Sequence, residues 1–370
     1  MPRRFFPLLL AAAGTLLISP VGRTWGEESP ALPPRLPETD AKATPAENSS
    51  PTPEAPSDIR FTTWNLKNFL YTTTPPPEGS SEHSKPQKEQ EAVIAILLKI
   101  RPDILGLCEM GSTADLANLQ SRLKAGGLDL PHSEHVQGDD PSRHVALLSR
   151  FPILSRQPVT DQRYLLDNNE FPVQRGFLDV TVGISSAYQL RLVGAHLKSR
   201  RDTPEADQAL MRRNEAHLLR QHLDSILTAA PTINLLIYGD FNDTRDQPGI
   251  KAVKGLRGGT AALTEIAAQD DSGERWTYYY PEADTYSRID FLLASAALLP
   301  EVREAQSFLH SGKDWSKASD HRPVTTVIHP DDTPARQTRP RKKPKNPAPP
   351  DSPPTPDPDA PPVPDSESSN

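Results

Sequence analysis

The sequence has almost no cysteine, since Cys108 is the only one in 370 residues. No intramolecular disulfide can therefore form. Cys108 lies inside an apolar, strand-like segment, which favours a small buried side chain over a reactive thiol. Long hydrophobic runs are also missing. The apolar segment Phe5–Ile18 is too short to span a bilayer comfortably.

The chain also lacks an excess of positive charge. Its formal net charge is −7 and its sequence pI is about 5.8. Bulk charge therefore gives no indication of nucleic-acid binding, although a local basic face or a bound metal can serve that purpose.

The first residues are typical of a secretory signal peptide. Two arginines, Arg3 and Arg4, precede the apolar segment, and polar residues follow it. We expect a signal peptide over residues 1–26, with cleavage after Gly26, and a secreted or periplasmic mature protein. An uncleaved membrane anchor is the alternative.

Proline, counted at 41, is concentrated towards the two ends of the chain. Residues 27–57 and 331–370 contain too few aliphatic side chains to offset the entropy cost of ordering. We expect them to be a disordered Pro-rich linker and a disordered Pro-rich tail. Residues 58–330 are left as the catalytic domain.

Strand-like and helix-like segments alternate within this domain. The predicted strands are Ile59–Trp64, Ile104–Cys108, Val145–Ser149, Phe177–Gly183, Gln189–Ala195, Leu235–Tyr238, Ile289–Ala294 and Val324–Ile328, and the predicted helices are Gln87–Ile100, Ala114–Ala125 and Pro204–Thr228. This order indicates an α/β or α+β fold in which stacked sheets are covered by helices.

Polar side chains crowd the exit of one buried strand. Asp240, Asn242 and Asp243 directly follow the apolar run Leu235–Tyr238 and the strand-breaking Gly239. A carboxylate and a carboxamide two residues apart suit a site that needs oxygen ligands or a held water molecule.

Other carboxylates stand among apolar residues. Glu109 directly follows a buried run, where an unpaired charge would be costly and a cation is the simplest partner. Asp290 lies between apolar neighbours and needs a partner too. Asp320 and His321 place a hard oxygen ligand beside an imidazole. His321 paired with Asp290 would be a general base or a proton-shuttling acid.

Asn65 and His196 also follow predicted strands. Taken singly, such residues are most often turn or cap residues. Asn65 could supply a neutral oxygen ligand to a metal, or hydrogen-bond to the residues that bind the metal. His196 is followed by Lys198, Arg200 and Arg201, which would be donors for a phosphate.

The combined donor set is rich in Asp, Glu and Asn and contains no cysteine ligand. It favours a hard metal, Mg²⁺ or Mn²⁺, over zinc. Such a metal, an activated water and cationic donors are what phosphate ester hydrolysis requires.

Six short motifs occur in order along the chain: Thr63–Asn65, Leu107–Glu109, Ala195–Ser199, Gly239–Asn242, Arg288–Asp290 and Ser319–His321. Together they resemble the endonuclease/exonuclease/phosphatase superfamily, which has the deoxyribonuclease I fold. The resemblance implies a four-layer sandwich of two packed mixed β-sheets flanked by helices. It also implies divalent-metal-dependent phosphoester hydrolysis at the strand ends on one edge.

The resemblance implies roles by position. The implied metal residues are Asn65, Glu109 and Asp320. The implied catalytic residues are His196, Asp240, Asn242, Asp290 and His321. The implied substrate-binding residues are Lys198, Arg200 and Arg175.

The chain departs from the deoxyribonuclease I branch at one position. In that branch the histidine matching His196 pairs with a glutamate from an earlier segment. The corresponding segment here, Arg143–Arg150, contains no glutamate.

We expect a secreted, Mg²⁺- or Mn²⁺-dependent nuclease that acts as a monomer, with no stable protein partner and no membrane span after signal removal. The cations expected to track the phosphate backbone are Lys198, Arg200, Arg201, Arg212 and Arg213. The aromatic segment Trp276–Tyr280 could stack on a base or sugar, or belong to the core.

Two alternatives remain open. A phospholipid or sugar-phosphate phosphodiesterase or phosphatase would belong to the same superfamily, although the sequence shows no apolar hairpin suited to a membrane. A phosphate-ligand binding module that has lost catalysis is an alternative of another class. The full set of acidic and histidine residues argues against it.

Overall fold

A computed structural model describes residues 58–312 and 314–331 of the chain. The predicted signal peptide and linker, and all of the predicted tail after Asp331, lie outside the described residues. Within the described part, no helix combines the length and apolar character needed to cross a membrane.

Strands and helices follow one another through the described residues. The strands are β1 (Ile59–Phe69), β2 (Ile104–Met110), β3 (His132–Val136), β4 (His144–Ser149), β5 (Ile153–Arg156), β6 (Arg163–Leu166), β7 (Asn169–Pro172), β8 (Phe177–Gly183), β9 (Gln189–His196), β10 (Leu235–Asp240), β11 (Thr264–Glu265), β12 (Tyr278–Tyr280), β13 (Thr285–Ser287), β14 (Asp290–Ala294), β15 (Phe308–Leu309) and β16 (Val324–Ile328). The α-helices are α1 (Gln87–Ile100), α2 (Thr113–Ala125), α3 (Gln208–Ala229), α4 (Pro248–Lys254) and α5 (Trp315–Ala318).

Two six-stranded sheets form the centre of the domain. One has the order β15-β16-β1-β2-β4-β3 and the other the order β11-β14-β10-β9-β8-β5. In the first, β1 runs parallel to β2 and antiparallel to β16. In the second, β10 runs parallel to β9 and antiparallel to β14. Both sheets are therefore mixed, as predicted.

Three apolar clusters hold the layers together. The first lies between the two sheets and includes Phe61 and Leu236. The second joins helices α1 and α2 to the outer face of the first sheet. The third joins α3 and α4 to the outer face of the second sheet. Helix, sheet, sheet and helix thus form four layers, which confirms the predicted sandwich.

Some elements were not predicted. Strand β1 continues past Trp64 to Phe69. This extension was not predicted because the second half of the strand carries the polar residues Asn65 and Asn68 and has no apolar alternation. The short strands β3, β5, β6 and β7 each bury at most one residue and show no buried pattern either.

Tyr238 of β10 inserts its ring between the two sheets. The ring is fully buried, lies 5.2 Å from the ring of Phe61, and its hydroxyl donates to the Ala146 carbonyl at 3.3 Å. Glycines make room for it on both sheets. A Cβ at Gly106 would lie 2.2 Å from the Tyr238 ring, and one at Gly194 would lie 2.5 Å from it.

We predict that Gly106→Ala destabilises the fold by about 1–3 kcal/mol, because an added methyl collides with the Tyr238 ring. Urea unfolding measures the loss. The matched control repeats the substitution in a Tyr238→Leu background, where the ring is gone. An equal loss in both backgrounds would show that the collision is not its cause.

Candidate active site

Strand register brings the predicted polar residues to one edge of the sandwich. In the second sheet, Asp240 at the end of β10 stands opposite both His196 of β9 and Asp290 of β14. In the first sheet, Asn65 of β1 stands opposite Cys108 of β2, and Glu109 is the next residue of β2. The two sets of strand ends face each other across the sandwich.

Gly239 allows β10 to deliver Asp240 to this edge. Its φ is +135°, and a Cβ there would lie 1.9 Å from the carbonyl oxygen of Ala195. Only glycine fits such a backbone conformation at this separation. In the sequence, this feature was indicated by the glycine that ends the apolar run Leu235–Tyr238.

The backbone is also unusual around Glu109. This residue has a φ of +57°, and the pairing of β2 with both its neighbours shifts register nearby. Such irregularities turn a side chain away from its regular direction, and they are common beside active sites. The Glu109 carboxylate is held in its new direction by the backbone N–H of Asn68, which donates to Oε2 at 2.8 Å.

Asn65 joins the two sheets at the site. Its Nδ2 donates to Asp240 Oδ2 at 2.9 Å and to Glu109 Oε1 at 3.3 Å, while its Oδ1 accepts from the N–H of Lys67 at 3.0 Å. In this arrangement Asn65 is a donor between two carboxylates. Its amide oxygen keeps a second lone pair, and the predicted place of Asn65 at a metal, as ligand or as support for the ligands, stays a prediction.

Asp290 and His321 form the expected pair. His321 Nδ1 lies 2.8 Å from Asp290 Oδ2. The Asp290 N–H donates to Thr277 Oγ1 at 3.1 Å, and Trp64 Nε1 donates to the His321 carbonyl at 2.9 Å. His321 is therefore fixed from strand β1, and Asp290 from the segment just before β12.

Asp240 Oδ2 lies between two imidazoles. His196 Nε2 and His321 Nε2 are each 3.7 Å from it. All three side chains are almost completely buried. This close group of a carboxylate and two histidines is the centre of the site.

The two histidines are driven to opposite protonation states. Burial opposes a charge on His321, but Asp290 and Asp240 outweigh it and raise its pKa to about 10. Burial lowers the pKa of His196 well below its usual value, and the positive charges of Arg175 and His321 act in the same direction. At neutral pH His321 is therefore a cation and His196 is neutral, a contrast that suits different catalytic roles.

The residues at this edge fit a divalent cation. Burial raises the pKa of Asp240 to about 7, so its negative charge is poorly compensated by its neighbours. Ligand atoms of Asp240, Asp290 and His321 all lie within 4.8 Å of one another. His321 Nδ1 is already bonded to Asp290, so carboxylate oxygens are the better ligands for a hard metal. Each Glu109 oxygen accepts one hydrogen bond and keeps a second lone pair that a metal could use.

Asn242 and Asp320 lie beside this centre. The N–H of Asn242 donates to Asp240 Oδ1 at 2.8 Å, and its Nδ2 donates to the Leu197 carbonyl at 3.0 Å. Asp320 is partly exposed, and its charge helps to raise the pKa of His321. Their predicted catalytic and metal roles stay predictions.

The predicted cations are divided between the interior and the surface. Arg175 and Lys198 are buried, and Arg175 pairs with Asp140 at 3.1 Å. Arg212 is also buried and pairs with Asp243 at 3.1 Å. The expectation that Arg212 contacts a phosphate backbone was therefore wrong, because its guanidinium is not accessible. The exposed cations are Arg200, Arg201 and Arg213.

His196 lacks the glutamate partner noted for the deoxyribonuclease I branch. Its buried Nδ1 has no hydrogen-bond partner among the residues that the structure describes. Arg175, whose charge acts on this histidine, likewise leaves Nε and Nη1 unpartnered within the described part. His196 therefore has no hydrogen-bond partner at Nδ1 within the described part, whereas Nδ1 of His321 is bonded to Asp290.

Several supporting residues escaped the sequence analysis. Thr277 accepts from the backbone of Asp290, and Ser319 Oγ donates to the Asn65 carbonyl at 2.8 Å. Lys85, also buried, donates through Nζ to the Lys67 carbonyl at 3.1 Å and fixes the last part of β1, after Asn65. Thr277 and Lys85 lie in segments without a distinctive local pattern. Ser319 begins the Ser319–His321 motif, but the sequence assigned it no role.

The pattern of the Endonuclease/Exonuclease/phosphatase family matches residues 62–321. The chain belongs to this family. Family members typically hydrolyse phosphoester bonds. A comparison with curated protein sequences gave no match.

Solved structures show the same fold at low sequence identity. An endonuclease/exonuclease/phosphatase from Beutenbergia cavernae is 20% identical with a TM-score of 0.52, covering 74% of this chain and 72% of that one. Truncated Caenorhabditis elegans TDP2 is 17% identical with a TM-score of 0.50, covering 74% and 97%. Sphingomyelinase C from Streptomyces griseocarneus is 14% identical with a TM-score of 0.50, covering 74% and 99%.

We predict that Asp290→Asn lowers kcat for phosphodiester hydrolysis about 10²- to 10⁴-fold, because an amide cannot sustain the charged His321 imidazole. Hydrolysis of bis(4-nitrophenyl) phosphate with Mg²⁺ measures the effect independently of any natural substrate. Asp284→Asn, in the exposed turn between β12 and β13, is the matched control and should retain full activity. Unchanged turnover in Asp290→Asn would remove this pair from the mechanism.

Proposed function

We propose that the protein is a secreted, divalent-metal-dependent phosphodiesterase, and specifically a nuclease. The observation that carries this proposal is the position of Asp240 Oδ2 between the imidazoles of His196 and His321, with Glu109 joined to it through Asn65. Export is supported by the sequence pattern of residues 1–26.

The residues suggest how water attacks the phosphate. Asp240, with a pKa raised to about 7 by burial, is a suitable acceptor for the proton of an attacking water. His321, held by Asp290 as a cation, stabilises the negative charge that grows on the phosphoryl group. Its Nε2 proton passes to the leaving oxygen as the bond to phosphorus breaks. Glu109, with Asn65 and Asp320 nearby, would hold Mg²⁺ or Mn²⁺, which would supply charge neutralisation.

Surface chemistry near the site favours a nucleic acid over a lipid. Arg200 bonds through Nε to the Asn242 carbonyl at 2.9 Å, which places its half-exposed guanidinium beside the site. The hairpin β12–β13, next to His321, turns at the polar residues Glu282 and Asp284. A membrane-binding hairpin would need apolar residues there.

The two alternatives are tested together with the main proposal. Leu165 is strongly exposed on the β6–β7 hairpin, which favours a phospholipid substrate, although Asp167 and Asn168 at its turn are polar. The inactive binding module is opposed by the complete group of Asp240, Asp290 and His321.

We predict that the chain from residue 27 onward nicks supercoiled plasmid in Mg²⁺ and not in EDTA, and that Glu109→Ala abolishes nicking. Glu170→Ala on the exposed strand β7 should nick normally and controls for the loss of a carboxylate. Agarose electrophoresis separates nicked from supercoiled DNA. A panel of RNA, sphingomyelin, phosphatidylcholine and inositol phosphates runs in parallel.

Three outcomes are distinguishable. Metal-dependent nicking lost in Glu109→Ala supports the nuclease. Headgroup or phosphate release without nicking would move the substrate to the phospholipid or sugar-phosphate alternative. No turnover of any phosphoester, with unchanged ligand binding by His321→Ala, would establish the binding module.

A further inference from the structure

The hairpin formed by β12 and β13 carries tyrosines on both of its faces. Tyr278 and Tyr280 are alternate residues of β12 and share one face. Their rings stack with centroids 6.4 Å apart and an interplanar angle of 21°. Tyr279 and Tyr286 share the other face and stack on each other with centroids 4.6 Å apart.

The first face adjoins the catalytic centre. The Tyr278 ring centroid lies 4.7 Å from that of His321, and the two residues form a backbone bridge. Tyr280 continues the stack away from His321 and is 44% exposed. A row of rings thus leads from the proposed phosphate position to solvent.

The surroundings of Tyr278 indicate that its ring, and not its hydroxyl, is the group that would contact a ligand. Burial and the carboxylates of Asp320 and Asp240 raise its pKa to about 12, with Arg201 acting in the opposite direction. The hydroxyl therefore stays protonated at neutral pH. The positive charge of the exposed Arg201 also acts on this tyrosine, and such a charge attracts phosphate.

We propose that Tyr278 and Tyr280 form a stacking platform for the nucleobase that adjoins the scissile phosphate. This inference rests on the proposed nuclease function and adds to it a requirement for a base beside the cleaved bond. Every base has a π-face, so the platform accepts any base and rejects a position without one. Neither a phospholipid headgroup nor an inositol phosphate offers a flat ring for it.

The test uses oligonucleotides with a single phosphodiester in an otherwise phosphorothioate backbone, so that one bond is cleaved preferentially. The nucleotide on the 5′ or the 3′ side of that bond carries either a base or an abasic tetrahydrofuran. The kcat/KM of the chain from residue 27 onward is measured on each. We expect the base on one side to raise kcat/KM by roughly 5- to 150-fold over the abasic substrate.

Variants assign this preference to the platform. Tyr280→Ala should bring the ratio of base to abasic kcat/KM close to one, and Tyr280→Phe should retain it, because the ring stacks without its hydroxyl. Tyr286→Ala is the matched control. It removes an exposed tyrosine from the opposite face of the same hairpin and should keep the parent ratio.

Other results would overturn the inference. Cleavage by the parent at equal rates with and without the flanking base would show that no base is read. A ratio that survives Tyr280→Ala, or falls equally in Tyr286→Ala, would remove the platform. Failure to cleave any oligonucleotide, with turnover of another phosphoester, would instead refute the nuclease proposal on which the inference rests.

Discussion

The Asp240 carboxylate is almost completely removed from water, and the arrangement of the site follows from that constraint. A buried charge needs compensation from its neighbours. Asn65 donates to it from the other sheet, and two imidazoles approach the same oxygen. The group is held by both halves of the sandwich, so that catalysis depends on how the sheets pack.

Packing of the two sheets also explains why the site lies at this edge. Tyr238 fills the space between them, with Gly106 and Gly194 leaving room for its ring. Two residues further along β10, the chain delivers Asp240. The left-handed backbone at Glu109 then turns a second carboxylate towards the same point. Such strain costs about 1–3 kcal/mol and persists where the surrounding structure enforces it.

Local sequence patterns were enough to predict the layered fold and the carboxylates that end apolar runs, such as Glu109 and Asp240. They could not predict how separate strands align. The donor role of Asn65 depends on pairing between β1 and β2 and on contact with the other sheet. The burial of Arg212 depends on Asp243, which reaches it from the loop after β10. These are properties of register and packing.

Anomalous diffraction from crystals soaked in Mn²⁺ tests most directly whether this edge is a metal-dependent catalytic centre. We predict a strong peak at Glu109, on the side of the site that faces Asp240. The peak should vanish in Glu109→Ala and persist in Glu170→Ala. A site that stays free of metal while the enzyme turns over a phosphoester in EDTA, or a peak confined to carboxylates elsewhere, would contradict it.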